Sequence, residues 1–139
     1  MLFILMLFGS AVLSMSLARL AYNVVRPVVL GNAEYLKYEM FPHYVAFGIA
    51  VLVVYLPVFA WLSDRLNDKR QLLLFALVGA VLGLAPAYGL HLWGEPHVAD
   101  LLSVEAVLTY GLFGVAGALL GPCYVKLSSD PSIGGRELL

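Results

Sequence analysis

The sequence predicts an all-α integral membrane protein, a bundle of four transmembrane helices with a short interfacial helix between the first two. Three observations carry that prediction. The stretch from Leu72 to Trp93 holds no charged residue and is flanked by Asp68, Lys69 and Arg70 on one side and Glu95 on the other. At about 1.5 Å per residue it reaches about 33 Å, enough to cross a hydrocarbon core of about 30 Å. The composition is 62% hydrophobic and 12% charged, with a mean hydropathy of +0.91, far from the balance of a soluble domain. Three further apolar stretches of similar length are separated by short polar links.

The formal net charge is −1, so the chain carries neither the basic field of a nucleic-acid binder nor an acidic tail. Cys123 is the single cysteine, which excludes an internal disulfide and a thiolate metal cluster. One domain, residues 1–125, accounts for nearly the whole chain.

Span one is expected from about Leu2 to Val25. Its start lacks Lys and Arg and its apolar run is longer than a signal-peptide core, so it reads as a retained span. Ser10, Ser14 and Ala18 recur every fourth residue and give it a narrow face suited to close helix contact. Arg19, Asn23 and Arg26 share a face at its far end. Arg26-Pro27 predicts the end of the helix, because proline disfavours the helical region for the residue before it. Gly31-Asn32 then turns into a short helix, NAEYLKYEM, which places Leu36 and Met40 apart from Glu34 and Lys37 and so suits a membrane surface.

Span two, about Tyr44 to Leu62, contains Pro57, which predicts a kink. The short polar link SDRLNDKRQ makes spans two and three an antiparallel hairpin. Span three, 72–93, carries Gly79, Gly83 and Ala87 at four-residue spacing, with Pro86 and Gly89 further on.

Span four, about Val104 to Tyr124, has Gly111, Gly114, Ala118 and Gly121 along one stripe, and Gly117 begins a second pair with Gly121. Lipid gives helices no hydrophobic reason to pair, so small residues matter by letting backbones approach. Residues 126–139, with Asp130-Pro131 and Gly134-Gly135, read as a short flexible tail.

An even number of spans puts both termini on one side. That side holds Arg65, Lys69, Arg70, Lys126 and Arg136, against Arg19, Arg26 and Lys37 opposite, so the positive-inside rule places both termini in the cytoplasm of a bacterial inner membrane. Trp61, Trp93, Tyr44 and Tyr124 fall near span ends, where amphipathic rings anchor. His43, His91 and His97 gather on the outer side with Glu34, Glu39, Glu95, Asp100 and Glu105.

The candidate binding residues are Arg19, Asn23, Arg26 and Glu105. Two guanidiniums on one face can take an anionic substrate group, a lipid phosphate or a partner's carboxylate. The structural alternative is that they snorkel to the interface or pair with the outer acids. Glu105, in the first turn of span four, either complements the helix N-terminus or meets Arg19 below the headgroups. His91, Glu95 and His97 have metal-ligand chemistry but not metal-ligand spacing, and Pro96 interrupts them, so no metal is expected. The candidate helix-packing residues are Ser10, Ser14, Gly79, Gly83, Gly111, Gly114 and Gly121.

No HExxH, P-loop, GxSxG or CxxC occurs, so no catalytic motif and no cofactor is expected. The layout is similar to small multidrug exporters, bacteriocin immunity proteins and membrane glutathione-linked enzymes in span number alone. The exporters place a carboxylate in the first span, and this first span has none. The leading expectation is a protein that binds another membrane protein, as an accessory subunit or a toxin-immunity type protein, or that forms a homo-oligomer. The alternative is a small oligomeric transporter or channel for an ion or anionic solute.

Overall fold

The computed structural model describes residues 1–31, 41–66, 71–93, 104–130 and 132. The interfacial helix expected at 32–40 and the loop acids Glu34, Glu39, Glu95 and Asp100 lie outside the described residues, as does His97. Among the described residues there are six α-helices: α1 (Leu2–Leu30), α2 (Phe41–Ala50), α3 (Leu56–Arg65), α4 (Gln71–Leu82), α5 (Leu84–Trp93) and α6 (Val104–Ser129). A π-helical turn, Val51–Tyr55, joins α2 to α3. They form 4 rods long and apolar enough to cross a membrane: Leu2–Val29, Phe41–Arg65, Leu72–Leu90 and Ala106–Ser129.

The buried face of α1 is Leu7, Ala11, Ser14, Met15 and Ala18, at the three- and four-residue steps of one helical stripe. Leu5, Leu13, Leu17, Leu20 and Val24 are exposed on the opposite side. The expected stop at Arg26-Pro27 is corrected, for α1 runs on to Leu30 with Pro27 inside it. Proline's fixed φ is itself helical, so the helix continues past it, at the loss of the N–H that would have bonded the Asn23 carbonyl and with its ring crowding that carbonyl. Gly31 ends the helix instead, in the left-handed conformation at φ 67°, its N–H donating to the Pro27 carbonyl at 2.8 Å.

In span two the kink expected at Pro57 takes the form of the π turn just before it. Pro57 cannot donate to the Val53 carbonyl, and the wider turn spans that gap. It also sets the phase of the rod. Phe47, Val51, Tyr55 and Phe59 are all buried, each four residues from the last. In a regular helix twelve residues would swing the last of them by about 120° from the first. The residue absorbed by the π turn leaves a drift of about 20°, so all four face the core.

Span three, expected over 72–93, is interrupted between α4 and α5 at Gly83. Its N–H is shared between the carbonyls of Gly79 at 3.1 Å and Ala80 at 3.2 Å, and Pro86, three residues on, cannot donate to Leu82. Helix α6 corrects the expected tail at Lys126 by running through Ser129, passing Pro122 on the way. Lys126 in the last turn favours the helix C-terminus, and the Ser128 hydroxyl bonds the Val125 carbonyl at 3.1 Å, as Ser129 does also.

Successive rods run antiparallel. The edge-on contact of Phe3 with Tyr124, ring centroids 5.7 Å apart, puts the start of α1 beside the end of α6. Helix α6 packs along α1 on one side and α4 on the other, while α2 packs against α5 and α1. The α4–α6 seam is a backbone contact. A Cβ on Gly79 would lie 2.7 Å from the Gly117 carbonyl carbon, one on Gly83 would lie 2.6 Å from that of Phe113, and one on Gly121 would lie 2.5 Å from that of Phe75. Only glycine permits that approach. The seam is shorter than the expected stripe. Gly114 has only the Ala80 carbonyl oxygen at 3.7 Å, and a Cβ on Gly111 meets nothing within 4 Å, so Gly111 belongs to an open face. Ser14 is buried within the core and Ser10 half-buried beside it.

Candidate functional site

The axis of the bundle is filled by rings. From the end where α2 begins, His43 stacks on Phe113 at 5.8 Å, and Phe113 meets Phe47 at 6.2 Å. Phe47 touches Tyr55 at 5.5 Å, Tyr55 touches Phe59 at 5.7 Å, and Phe59 meets Phe75 at 5.3 Å and Tyr124 at 5.2 Å. Tyr124 stacks on Phe75 at 5.9 Å and reaches Phe3 at the far end. Between His43 and Phe59 the column rises about 24 Å, most of the thickness of a hydrocarbon core. Phe47, Tyr55, Phe59, Phe75 and Phe113 are each at most 2% exposed. Among the described residues, the column occupies the centre of the bundle with buried apolar and aromatic side chains.

Polar chemistry collects at the end where α1 finishes and α2 starts. Arg26 is 7% exposed, with its guanidinium carbon 5.6 Å from the centre of the Tyr22 ring one turn earlier. This is a cation–π contact within α1. Arg19 and Asn23 are half-buried on the same side of the helix, as their spacing predicts. His43 is half-buried at the start of α2, the helix that packs against α1. No described residue bonds the buried Nδ1 of His43. A hydrogen bond of 3.1 Å between the Ser16 and Tyr44 hydroxyls ties α1 to α2 beside this cluster.

The sequence paired Arg19 and Arg26 with each other but left His43 among the outer histidines. Its membership of the cluster depends on α1 and α2 lying side by side, which periodicity does not reveal. Glu105 belongs to the first turn of α6, and its side chain, like that of His91, lies outside the described residues. At the opposite end Arg65 covers the Trp61 ring at 5.3 Å, also one turn apart.

The second feature is a cleft of about 610 Å³ between span two and α5. Phe41, Ala46, Ala50 and Val54 form one wall, and Pro86 and Gly89 are prominent in the other. Every side chain lining it is apolar. Small residues make the cleft, since alanine and glycine face each other where larger side chains would have closed the seam.

Together these features define a small all-helical protein with 4 rods of membrane-crossing length, a core column of contacting rings, a cationic cluster at one end and an apolar lateral cleft. No family model, curated protein or solved structure matches the chain.

Proposed function

We propose that the chain is an integral membrane protein that acts by binding another membrane protein, as an accessory or immunity-type subunit, with both termini in the cytoplasm of a bacterial inner membrane. The observation that carries this reading is the ring column from His43 to Phe3, which fills the place a solute path would need. Function then falls to the lateral surface. The exposed side of α1 offers Leu20 and Val24 beside half-buried Arg19 and Asn23, an apolar strip with one forked donor set in its edge. Such a strip suits a partner helix that brings a carboxylate to the same depth.

A photocrosslinking amino acid placed at Leu20 in living cells tests the reading. A discrete protein adduct that disappears with Arg19→Gln supports it, with Leu77, an exposed residue on α4, as the control position. Ion or anion flux in vesicles holding only the purified chain, lost with Arg19→Gln at unchanged protein level, overturns it in favour of transport.

A further inference from the structure

Span three is one apolar run built as two helices, and the joint between them is weak in its backbone bonding. The Gly83 N–H is split between the Gly79 carbonyl at 3.1 Å and the Ala80 carbonyl at 3.2 Å. Pro86 has no N–H for the Leu82 carbonyl, and its ring crowds that carbonyl. It sits in the first turn of α5, where proline is tolerated, so α5 starts as a helix of its own. The 10 residues of α5 rise about 15 Å, half of a hydrocarbon core, which sets the joint near the bilayer midplane.

The two sides of the joint are held differently. On one side α4 is locked to α6 by close backbone approach at Phe75–Gly121, Gly79–Gly117 and Gly83–Phe113, where carbonyls cannot turn aside. The last of these contacts pins the joint itself. Beyond Gly83 the lock ends, for a Cβ on Gly89 or on Gly111 meets nothing within 4 Å. Helix α5 rests on its neighbours through buried Pro86 and Ala87 and half-buried Leu90, while Tyr88 and Gly89 are exposed. Toward span two, Ala85, Pro86, Gly89 and Leu90 border the cleft, so this helix has room to move into. A weak joint, a pinned pivot and free space on one side are the parts of a hinge.

We propose that α5 is a hinged half-span that swings about Gly83 toward span two, so that the lateral cleft is open in one state and closed in the other. A bend of about 20° at a proline, acting over about 15 Å, carries the Trp93 end of the helix about 5 Å. That is about half the usual distance between packed helix axes. Helices α1, α4 and α6 stay fixed. The swing belongs to the isolated chain and does not rest on the partner-binding reading.

The test is double electron–electron resonance on the full chain carrying Cys123→Ser, in phosphatidylcholine nanodiscs, with nitroxides on Tyr88→Cys and Val24→Cys, two exposed positions. A second pair, on exposed Leu77 and Leu5, reports across the locked part of the bundle. The first pair is expected to show two distances up to about 5 Å apart, and the second pair one. Gly89→Leu fills the space the helix would enter, and is expected to remove the closed population and leave one distance. Pro86→Ala returns an N–H to the Leu82 carbonyl, and is expected to stiffen the joint and leave one distance. Far-ultraviolet circular dichroism and gel filtration check that each variant is folded, and the two label pairs in the parent decide the matter where one is not. A single distance for the Tyr88–Val24 pair as narrow as that for Leu77–Leu5 overturns the proposal. So do two populations at parental proportions in either folded variant.

Discussion

The phenol of Tyr55 occupies the space that a side chain on Gly117 would need: a Cβ built on Gly117 would stand 2.6 Å from the Tyr55 hydroxyl oxygen. The π turn presents this ring to the middle of the α4–α6 seam, so three rods meet at one glycine. Tyr55 is 0% exposed, and no described residue bonds its hydroxyl.

A buried hydroxyl without a partner costs about 1–3 kcal/mol, and removing it is close to neutral or favourable. Tyr55→Phe is therefore expected to leave stability unchanged or raise it by about 1 kcal/mol. Tyr55→Ala is expected to lower it by about 3–5 kcal/mol through the cavity left among the rings. Thermal unfolding in detergent, followed by circular dichroism, measures both.

Gly79 and Gly111 form a matched pair of probes. Gly79→Ala pushes a methyl into the Gly117 backbone and is expected to cost about 1–3 kcal/mol or more, because carbonyl atoms cannot rotate away. Gly111→Ala meets open space and is expected to be neutral or stabilising by up to about 1 kcal/mol. Equal effects of the two in the same unfolding assay would remove the seam from its place in the fold.

The π turn predicts that span two tolerates the loss of one residue. Deleting exposed Val53 together with Pro57→Ala converts the rod to a regular helix in which Phe47 and Phe59 stand eleven residues apart, a drift of only about 20°. That variant is expected to unfold within a few degrees of the parent. Deleting Val115, exposed on the regular helix α6, swings Phe113 against Leu120 by about 100° and is expected to abolish folding, read as loss of the monodisperse gel-filtration peak.

Outside the rods, the backbone N–H of Ser132 donates to Asp130 Oδ1 at 2.9 Å and its hydroxyl donates at 2.6 Å. Both bonds favour the carboxylate and hold Asp130 below its ordinary value, the side-chain bond most strongly. A depressed acid keeps its stabilising contacts above the unfolded value and loses them as pH falls through the folded one. The Ser132 amide proton is therefore expected to titrate with a midpoint below that of a free aspartate, and Ser132→Ala to raise that midpoint. Nuclear magnetic resonance of the chain in micelles reads both.

The rods themselves are legible in the sequence because each is a long apolar run between charged flanks, and their described ends lie within a few residues of those flanks. Larger departures follow from bonds that composition does not show. Gly31, not Pro27, closes α1 because a left-handed cap stops a helix while proline's own angle continues it. The glycine stripe of span four is continuous in sequence, yet only at Gly117 and Gly121 would a Cβ clash with facing backbone, since crossing helices touch over a limited length. Four-residue spacing from Phe47 to Phe59 signals a phase that no regular helix keeps, and Pro57 beside it marks where the extra residue goes. The cationic cluster is half legible. Arg19 and Arg26 share one helix, whereas His43 joins them through a neighbour relation between rods. The cleft leaves no mark on periodicity, because alanines and glycines read alike whether they close a seam or line a gap.

The principal neighbours of α6 are α1 and α4, so the first of the four rods in chain order has its largest contact with the fourth. Without α6, Gly79 and Gly83 have no facing backbone to close upon, and α1 keeps only its smaller contact with α2. The bundle of four rods therefore closes only when α6 docks, and a chain halted before α6 leaves those seams unpaired and open to aggregation and proteolysis.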